Sequence, residues 1–222
     1  MIHLHHLEKS RSHRILWLLE TLELDYELVE YQRDPETQLA PESLRRIHSL
    51  GKSPVITDGE QTVAESGAII EYLLACYGEG RCQPGAGDTR GWVDYRYWLH
   101  YAEGSLMPLL VMQLVFGQLP KQSPWLIKPI ARGINKTVNQ RFLAPQLAQH
   151  MTMIEAYLAE HGQFAPPWPS GADIQMSFPL QALAMTRQLG DYPAIAAFVE
   201  RIEADAAWQR VVERAGPLSL PG

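Results

Sequence analysis

The sequence has few cysteines, no long apolar run and no excess of positive charge, and each shortage excludes a class of protein. Two cysteines among 222 residues are too few for a scaffold held by disulfides. The net charge of -6 argues against broad nucleic-acid binding, which needs a basic face. The longest apolar run, LMPLLVM, is far shorter than a membrane span, and the N-terminal residues lack the pattern of a secretion signal. We therefore expect a cytoplasmic protein with no nucleic-acid or membrane partner.

The first third of the chain alternates strand and helix patterns. Apolar and polar residues alternate in MIHLHHL and YELVEY, as in half-buried strands, whereas RSHRILWLLETLE repeats its apolar residues at helical spacing. A turn at Asp58-Gly59 between two short strand patterns predicts a hairpin, and the next helix ends at a glycine. The predicted order is β-α-β-α-β-β-α, over residues 1–7, 11–23, 26–31, 41–48, 54–57, 61–64 and 66–78.

The strand patterns stop at a glycine-rich segment, GEGRCQPGAGD, which has the composition of a domain linker. Beyond it the apolar spacing is helical throughout, beginning with a long helix that we expect to bend near Gly104 and Pro108. We therefore predict an α/β domain over residues 1–78, a linker over 79–88 and an all-α domain over 89–222.

Three motifs in this order resemble those of the cytosolic glutathione transferases. SRSHRILWLLE resembles the first loop and helix of the serine-type members, GKSPVITDGEQTVAESGAIIEYL resembles their glutathione site, and SGADIQMS resembles the capping box of the core helix in their helical domain. Together they look similar to the theta-like group of bacteria and fungi. The resemblance covers nearly the whole chain. It implies a thioredoxin-like α/β N-terminal domain, a helical C-terminal domain, a homodimer, and glutathione as a co-substrate with no bound cofactor.

Two serines, Ser10 and Ser12, lie where the first strand leads into the first helix. A free thiol is little ionised at neutral pH, and a hydroxyl donor together with a helix N-terminus would stabilise its thiolate. The resemblance assigns this donor role to Ser10, four residues before Arg14, and Ser12 is the alternative. Either serine is also a possible helix cap, and Arg14 is expected to anchor the helix or the domain interface.

The resemblance implies glutathione contacts from two further segments. In GKSP, Pro54 is expected to be cis, the backbone of Ser53 is expected to pair with the cysteinyl backbone of glutathione, and Lys52 is either a polar contact or a solvated lysine. The hydroxyl of Ser53 is not expected to matter to this contact if the pairing is through the backbone. In AES, Glu65 is expected to bind the γ-glutamyl ammonium group, and Ser66 with the helix amides the γ-glutamyl carboxylate. Three residues remain candidates for the glycyl carboxylate: Gln38, Arg46 and His48.

The second substrate is expected to be a hydrophobic electrophile held between the domains. Tyr101 and Met107, on the first long helix of the all-α domain, are the residues we predict to line that site. We predict no metal site, because a strand places its neighbouring histidines on opposite faces and no cluster of acids or cysteines accompanies them. We expect Ser170 and Asp173 to form a capping box, Cys82 to be exposed in the linker and Cys76 to be packed in a helix.

These features predict a dimeric glutathione S-transferase, in which the glutathione thiolate attacks or reduces a hydrophobic electrophile. Glutathione peroxidase activity and disulfide reduction use the same thiolate and remain alternatives. A protein with this fold that binds a ligand or a partner without catalysis is a further alternative, because a fold does not fix a function.

Overall fold

The computed structural model describes residues 1–186 and 188–220. Its N-terminal part is built on a sheet of four strands in the order β2-β1-β3-β4. The central strand β1 pairs with β2 in parallel and with β3 antiparallel, and β3 pairs antiparallel with β4. The strands are β1 (Ile2–Leu7), β2 (Tyr26–Tyr31), β3 (Val55–Asp58) and β4 (Gln61–Ala64), and the helices between and after them are α1 (His13–Thr21), α2 (Glu42–Ile47) and α3 (Ser66–Tyr77). The predicted order of elements is confirmed.

Helix α1 is buried along nearly its whole length, from His13 to Glu20. It packs against α3 on its own domain and against two helices of the second domain. Its apolar side chains pack against helices of both domains. The apolar part of its surface is therefore wider than that of a helix with only one buried face. The loop that precedes α1 is therefore fixed at the boundary between the domains.

The second part of the chain is helical, as predicted. Its elements are α4 (Thr89–Tyr101), α5 (Met107–Gln122), α6 (Lys128–Val138), α7 (Ala144–His161), α8 (Gly171–Met185), α9 (Pro193–Glu203) and α10 (Ala206–Ala215). Two π-helical segments, Ala102–Leu106 and Asn139–Leu143, join α4 to α5 and α6 to α7. The first contains Gly104, so the predicted irregularity is a π segment. Pro108 follows the π segment directly within the continuous helical stretch Thr89–Gln122, and it lacks the N–H that would bond to the preceding turn.

The helical stretch Thr89–Gln122 is long and apolar enough to cross a membrane by length and composition alone, a criterion that core helices of soluble proteins also meet. Tyr95 and Trp98 within it are buried in the protein core. The predicted absence of a membrane partner stays a prediction.

The capping box at the start of α8 is confirmed. Ser170 Oγ accepts a hydrogen bond from the Asp173 amide at 3.2 Å, and Asp173 Oδ2 accepts one from the Ser170 amide at 2.8 Å. The other oxygen of Asp173 accepts from the Phe164 amide at 2.7 Å. The box therefore fixes both the helix end and the loop before it.

Both cysteine predictions are wrong. Cys82 is buried, and its backbone carbonyl accepts a hydrogen bond from the Gly171 amide at 2.8 Å. The segment between α3 and α4 therefore packs against the start of α8, which a loose linker would not do. Burial raises the pKa of the Cys82 thiol to about 11, so this thiol is unreactive at neutral pH. Cys76 lies on the exposed side of α3.

Candidate functional site

A cleft of about 1210 Å³ lies between the two domains at the start of α1. The N-terminal domain contributes the loop after β1, the segment before β3 and the junction of β4 with α3. The helical domain contributes one face of α5 and the C-terminal half of α8, and Ser219 and Leu220 also line the cleft. Most of the charged side chains come from the first domain. The second domain contributes most of the large apolar side chains, together with Lys121 and several uncharged polar residues.

The two serines before α1 have different positions. Ser10 lines the cleft, whereas Ser12 is fully buried behind it. Ser12 occupies the N-cap position of α1, but its side chain makes no capping hydrogen bond. Its hydroxyl oxygen lies 2.8 Å from Ser10 Oγ and 2.6 Å from His6 Nδ1. The interpretation of Ser12 as a helix cap is therefore wrong, because its hydroxyl hydrogen-bonds to the side chains of His6 and Ser10 and to no helix amide.

His6 is buried at the end of β1, with its ring edge against His13. Burial and the neighbouring His13 lower the pKa of His6 to about 4. His6 is therefore a neutral imidazole at physiological pH, with one ring nitrogen as a donor and the other as an acceptor.

The peptide bond between Ser53 and Pro54 is cis, as the resemblance implies. The hydroxyl of Ser53 donates to the His5 carbonyl at 2.8 Å and accepts from the Leu7 amide at 3.2 Å. Its oxygen also lies 3.2 Å from Ser10 Oγ. The hydroxyl therefore ties the segment before β3 to β1 and contacts the proposed thiolate donor, whereas the expected backbone contact of Ser53 with glutathione stays a prediction.

The junction of β4 and α3 presents Glu65 and Ser66 to the cleft. Glu65 has a φ of 71°, a conformation that non-glycine residues rarely adopt and that surrounding structure must hold. The Ser66 oxygen accepts hydrogen bonds from Arg14 Nη1 at 3.2 Å and Gln175 Nε2 at 3.0 Å. This junction is thus supported by α1 and by α8 of the other domain.

Arg14 links the two domains. Its side chain is fully buried, and Nη1 also donates to Glu103 Oε1 at 2.7 Å. Glu103 lies in the π segment between α4 and α5, and its other oxygen lies 2.9 Å from Arg11 Nη1. The prediction that Arg14 anchors the domain interface is confirmed.

The rim of the cleft is strongly basic, although the protein carries a net charge of -6. Glu65 is the one carboxylate among its described lining residues. His48 lines the cleft, whereas Gln38 and Arg46 do not, and Gln38 Nε2 donates to the Pro35 carbonyl at 3.1 Å within its own turn. The basic side chains of the rim are Lys9, Arg11, Arg33, Arg45, Lys52 and Lys121.

The far wall of the cleft is apolar and includes Met107, as expected. Tyr101 is not part of it. Its hydroxyl hydrogen-bonds to His150, and it lines a different cavity of about 900 Å³ between α4 and α7. The expectation for Tyr101 is therefore wrong, because six residues at about 3.6 per turn place Tyr101 and Met107 on different sides of one helical stretch. The apolar wall is formed by Met107, Leu110, Val111 and Leu114 of α5 and by Phe178, Ala182, Leu183 and Met185 of α8.

The three histidines of β1 contact three different sets of partners. His3 lies 3.3 Å from Glu27, His5 hydrogen-bonds to Tyr31 and Thr57, and His6 to Ser12. Across residues 1–186 and 188–220, no three metal-ligating side chains form a group that could hold an ion.

Comparisons with known proteins agree with this arrangement. The family model "Glutathione S-transferase, N-terminal domain" matches residues 1–75. The chain is 32% identical to Glutathione S-transferase 1 of Saccharomyces cerevisiae over 229 residues, covering 98% of this chain and 97% of the relative. It is 35% identical over 182 residues to Glutathione S-transferase 3 of Schizosaccharomyces pombe, covering 82% and 74% of the two chains. A solved glutathione S-transferase from Actinobacillus pleuropneumoniae superposes with a TM-score of 0.76 at 33% identity, covering 99% of this chain and 95% of that one.

The chain belongs to the glutathione S-transferase family. The predicted family and fold are thereby confirmed, whereas the serine-type grouping stays a prediction.

Proposed function

We propose that this protein binds glutathione in the cleft, stabilises its thiolate through the hydroxyl of Ser10, and conjugates it to a hydrophobic electrophile. The observation that carries the proposal is the position of Ser10. Its hydroxyl lines the cleft just before the N-terminus of α1, where the helix dipole favours an anion. The catalytic contribution is electrostatic stabilisation of the sulfur, with no covalent intermediate on the protein.

The polar half of the cleft matches the charges of glutathione. Glu65 is available for the γ-glutamyl ammonium group, and Ser66 with the first amides of α3 is available for the γ-glutamyl carboxylate. The exposed backbone of Ser53 before the cis proline is the proposed partner of the cysteinyl backbone. His48, Arg45 and Lys52 line the cleft on the side proposed for the glycyl carboxylate.

The apolar wall of the cleft supports a hydrophobic second substrate. Met107 and the neighbouring side chains of α5 and α8 lie opposite the polar half of the same cleft. Such a wall binds an apolar electrophile by burying its surface. Apolar halides, epoxides, enals and hydroperoxides are the proposed electrophile classes.

We also propose a cytoplasmic homodimer. Val93 and Tyr97 are exposed on α4 beside the cavity that contains Tyr101, and apolar side chains of this kind favour a protein partner. Light scattering coupled to gel filtration measures the mass of the particle directly, and a monomeric mass at micromolar concentration contradicts this part of the proposal.

The test of the function is the ultraviolet thiolate band of bound glutathione, measured with turnover of an aryl halide. We expect Ser10→Ala to abolish the band and to lower kcat/KM about 100-fold, the usual effect of losing one donor to a developing anion. Ser105→Ala is the matched control, since Ser105 lies outside the cleft, and it should change neither quantity. A wild-type protein without the band, or a Ser10→Ala variant that retains it, contradicts the proposal. Loss of the band in Ser12→Ala alone would instead make Ser12 the donor.

A further inference from the structure

The hydroxyl of Ser10 is the third member of a chain of polar side chains that begins at a buried histidine. His6 Nδ1 lies 2.6 Å from Ser12 Oγ, which in turn lies 2.8 Å from Ser10 Oγ. Neither His6 nor Ser12 lines the cleft. The side-chain hydrogen bonds of these two residues therefore lead to the cleft through Ser10.

The number of protons in this chain determines its direction. Neutral His6 has one ring proton, and each serine has one hydroxyl proton. With the ring proton on Nδ1, His6 donates to Ser12, Ser12 donates to Ser10, and the proton of Ser10 is free for a third partner. With the ring proton on Nε2, Ser12 donates to His6, Ser10 donates to Ser12, and no proton remains for a sulfur atom.

The other contacts of Ser10 favour the first arrangement. Ser10 Oγ donates its proton to Ser53 Oγ at 3.2 Å, so the hydrogen bond between the two serines takes its proton from Ser12, and Ser12 must accept from His6 Nδ1. The Ser12 amide also donates to Ser10 Oγ, at 3.4 Å. Ser53 Oγ accepts from the Leu7 amide at 3.2 Å as well, so it is shared between two donors. A sulfur anion in the cleft is a stronger acceptor than this hydroxyl.

We propose that His6, with its proton on Nδ1, is a positioning residue that directs the proton of Ser10 to the glutathione sulfur through the hydroxyl of Ser12. The inference rests on the proposed role of Ser10 as the thiolate donor. No covalent bond forms or breaks in the chain. Its hydrogen bonds all point the same way, and each polarises the next, which makes Ser10 a stronger donor.

The test is the apparent thiol pKa of bound glutathione, taken from the pH dependence of the thiolate band, together with kcat and KM. Ser12→Ala and His6→Leu each remove one link. We expect each to raise the thiol pKa of bound glutathione by about one unit, a tenfold loss in the ionisation constant of the thiol. We expect a similar loss in kcat with little change in the KM for glutathione. The double variant should be no worse than either single variant, because both cut the same chain.

Rescue and control variants separate positioning from folding. His6→Asn places an amide NH₂ near the position of Nδ1 and should recover most of the thiolate. His5→Leu is the matched control, since His5 is the preceding residue of β1, is equally buried and hydrogen-bonds through its side chain to Tyr31 and Thr57. It should leave the thiol pKa unchanged.

The possible outcomes distinguish this inference from the proposed function. An unchanged thiol pKa in both Ser12→Ala and His6→Leu, beside a wild-type band that Ser10→Ala abolishes, overturns the positioning role alone. A missing wild-type band, or one that survives Ser10→Ala, overturns the proposed function itself. If His6→Leu does not fold, the thiol pKa of bound glutathione is compared between Ser12→Ala and Ser12→Thr. Ser12→Thr keeps the hydroxyl and should keep the low pKa, and an equal pKa in the two variants overturns the positioning role.

Discussion

The two domains differ in how they hold the residues of the cleft. In the N-terminal domain, Ser10, Ser53 and Glu65 lie on short turns whose backbone is fixed by the sheet beside them. In the helical domain, Met107 and Phe178 line the cleft from helix faces, and their positions depend on how long helices pack. The comparison shows that polar chemistry in this protein is encoded locally, whereas the apolar wall is set by tertiary packing.

The largest effect is expected from removing Arg14, the buried side chain that links the two domains. Arg14→Ala deletes a fully buried side chain, leaves a cavity and takes one donor from Ser66. Burial lowers the pKa of Arg14 to about 10, so the group that is lost is a cation at neutral pH. We expect the free energy of unfolding to fall by about 3 kcal/mol, measured by urea denaturation.

The control for Arg14 is Arg96→Ala, on α4. Arg96 is exposed and lies over the Trp92 ring, so its loss should cost less than about 1 kcal/mol. Equal effects of the two changes would show that the two domains do not depend on Arg14 for their contact.

Much of the N-terminal domain could be predicted because its signals are local. Strand alternation, the Asp58-Gly59 turn and the serine at the start of α3 depend on neighbours in sequence, and the structure agrees with them. His6 also gave a signal, because it shares a strand face with Ile2 and Leu4, and a histidine on a buried face needs a hydrogen-bond partner. Sequence alone could not identify Ser12 as that partner, because the distance depends on how the loop folds back.

The helical domain was less predictable for a physical reason. Tyr101 and Met107 lie six residues apart on one helical stretch, so about 3.6 residues per turn already place them on different sides of it, and they line different cavities. The sequence could not show which of the two sides faces the N-terminal domain, because that depends on how the helices pack. Gln175 was missed likewise, because its contact with Ser66 joins residues that are 109 positions apart.

A smaller effect is expected at the capping box of α8, where the variant tests whether Asp173 also stabilises the loop before the helix. Asp173→Ala leaves the amides of Phe164 and Ser170 without their acceptor in the core. We expect the free energy of unfolding to fall by about 2 kcal/mol, measured by thermal unfolding. Asp88→Ala is the matched control, since Asp88 caps α4 in an exposed position with one acceptor bond to the Gly91 amide, and about 1 kcal/mol is expected there. If Asp173→Ala lowers the free energy of unfolding no more than Asp88→Ala does, the capping box stabilises only the start of α8.

The smallest expected effect concerns the segment between α5 and α6. Trp125 lies between these helices with 79% of its surface exposed, whereas Trp98 of α4 is 2% exposed in the core. Trp125→Ala should change the free energy of unfolding by less than about 0.5 kcal/mol, and Trp98→Ala should cost about 3–5 kcal/mol. The free energies of unfolding of the two variants are measured by denaturant unfolding at two protein concentrations. A loss above about 1 kcal/mol at Trp125 that grows with protein concentration would mean that a second copy of the chain covers this tip, since only an associated state gains stability by mass action.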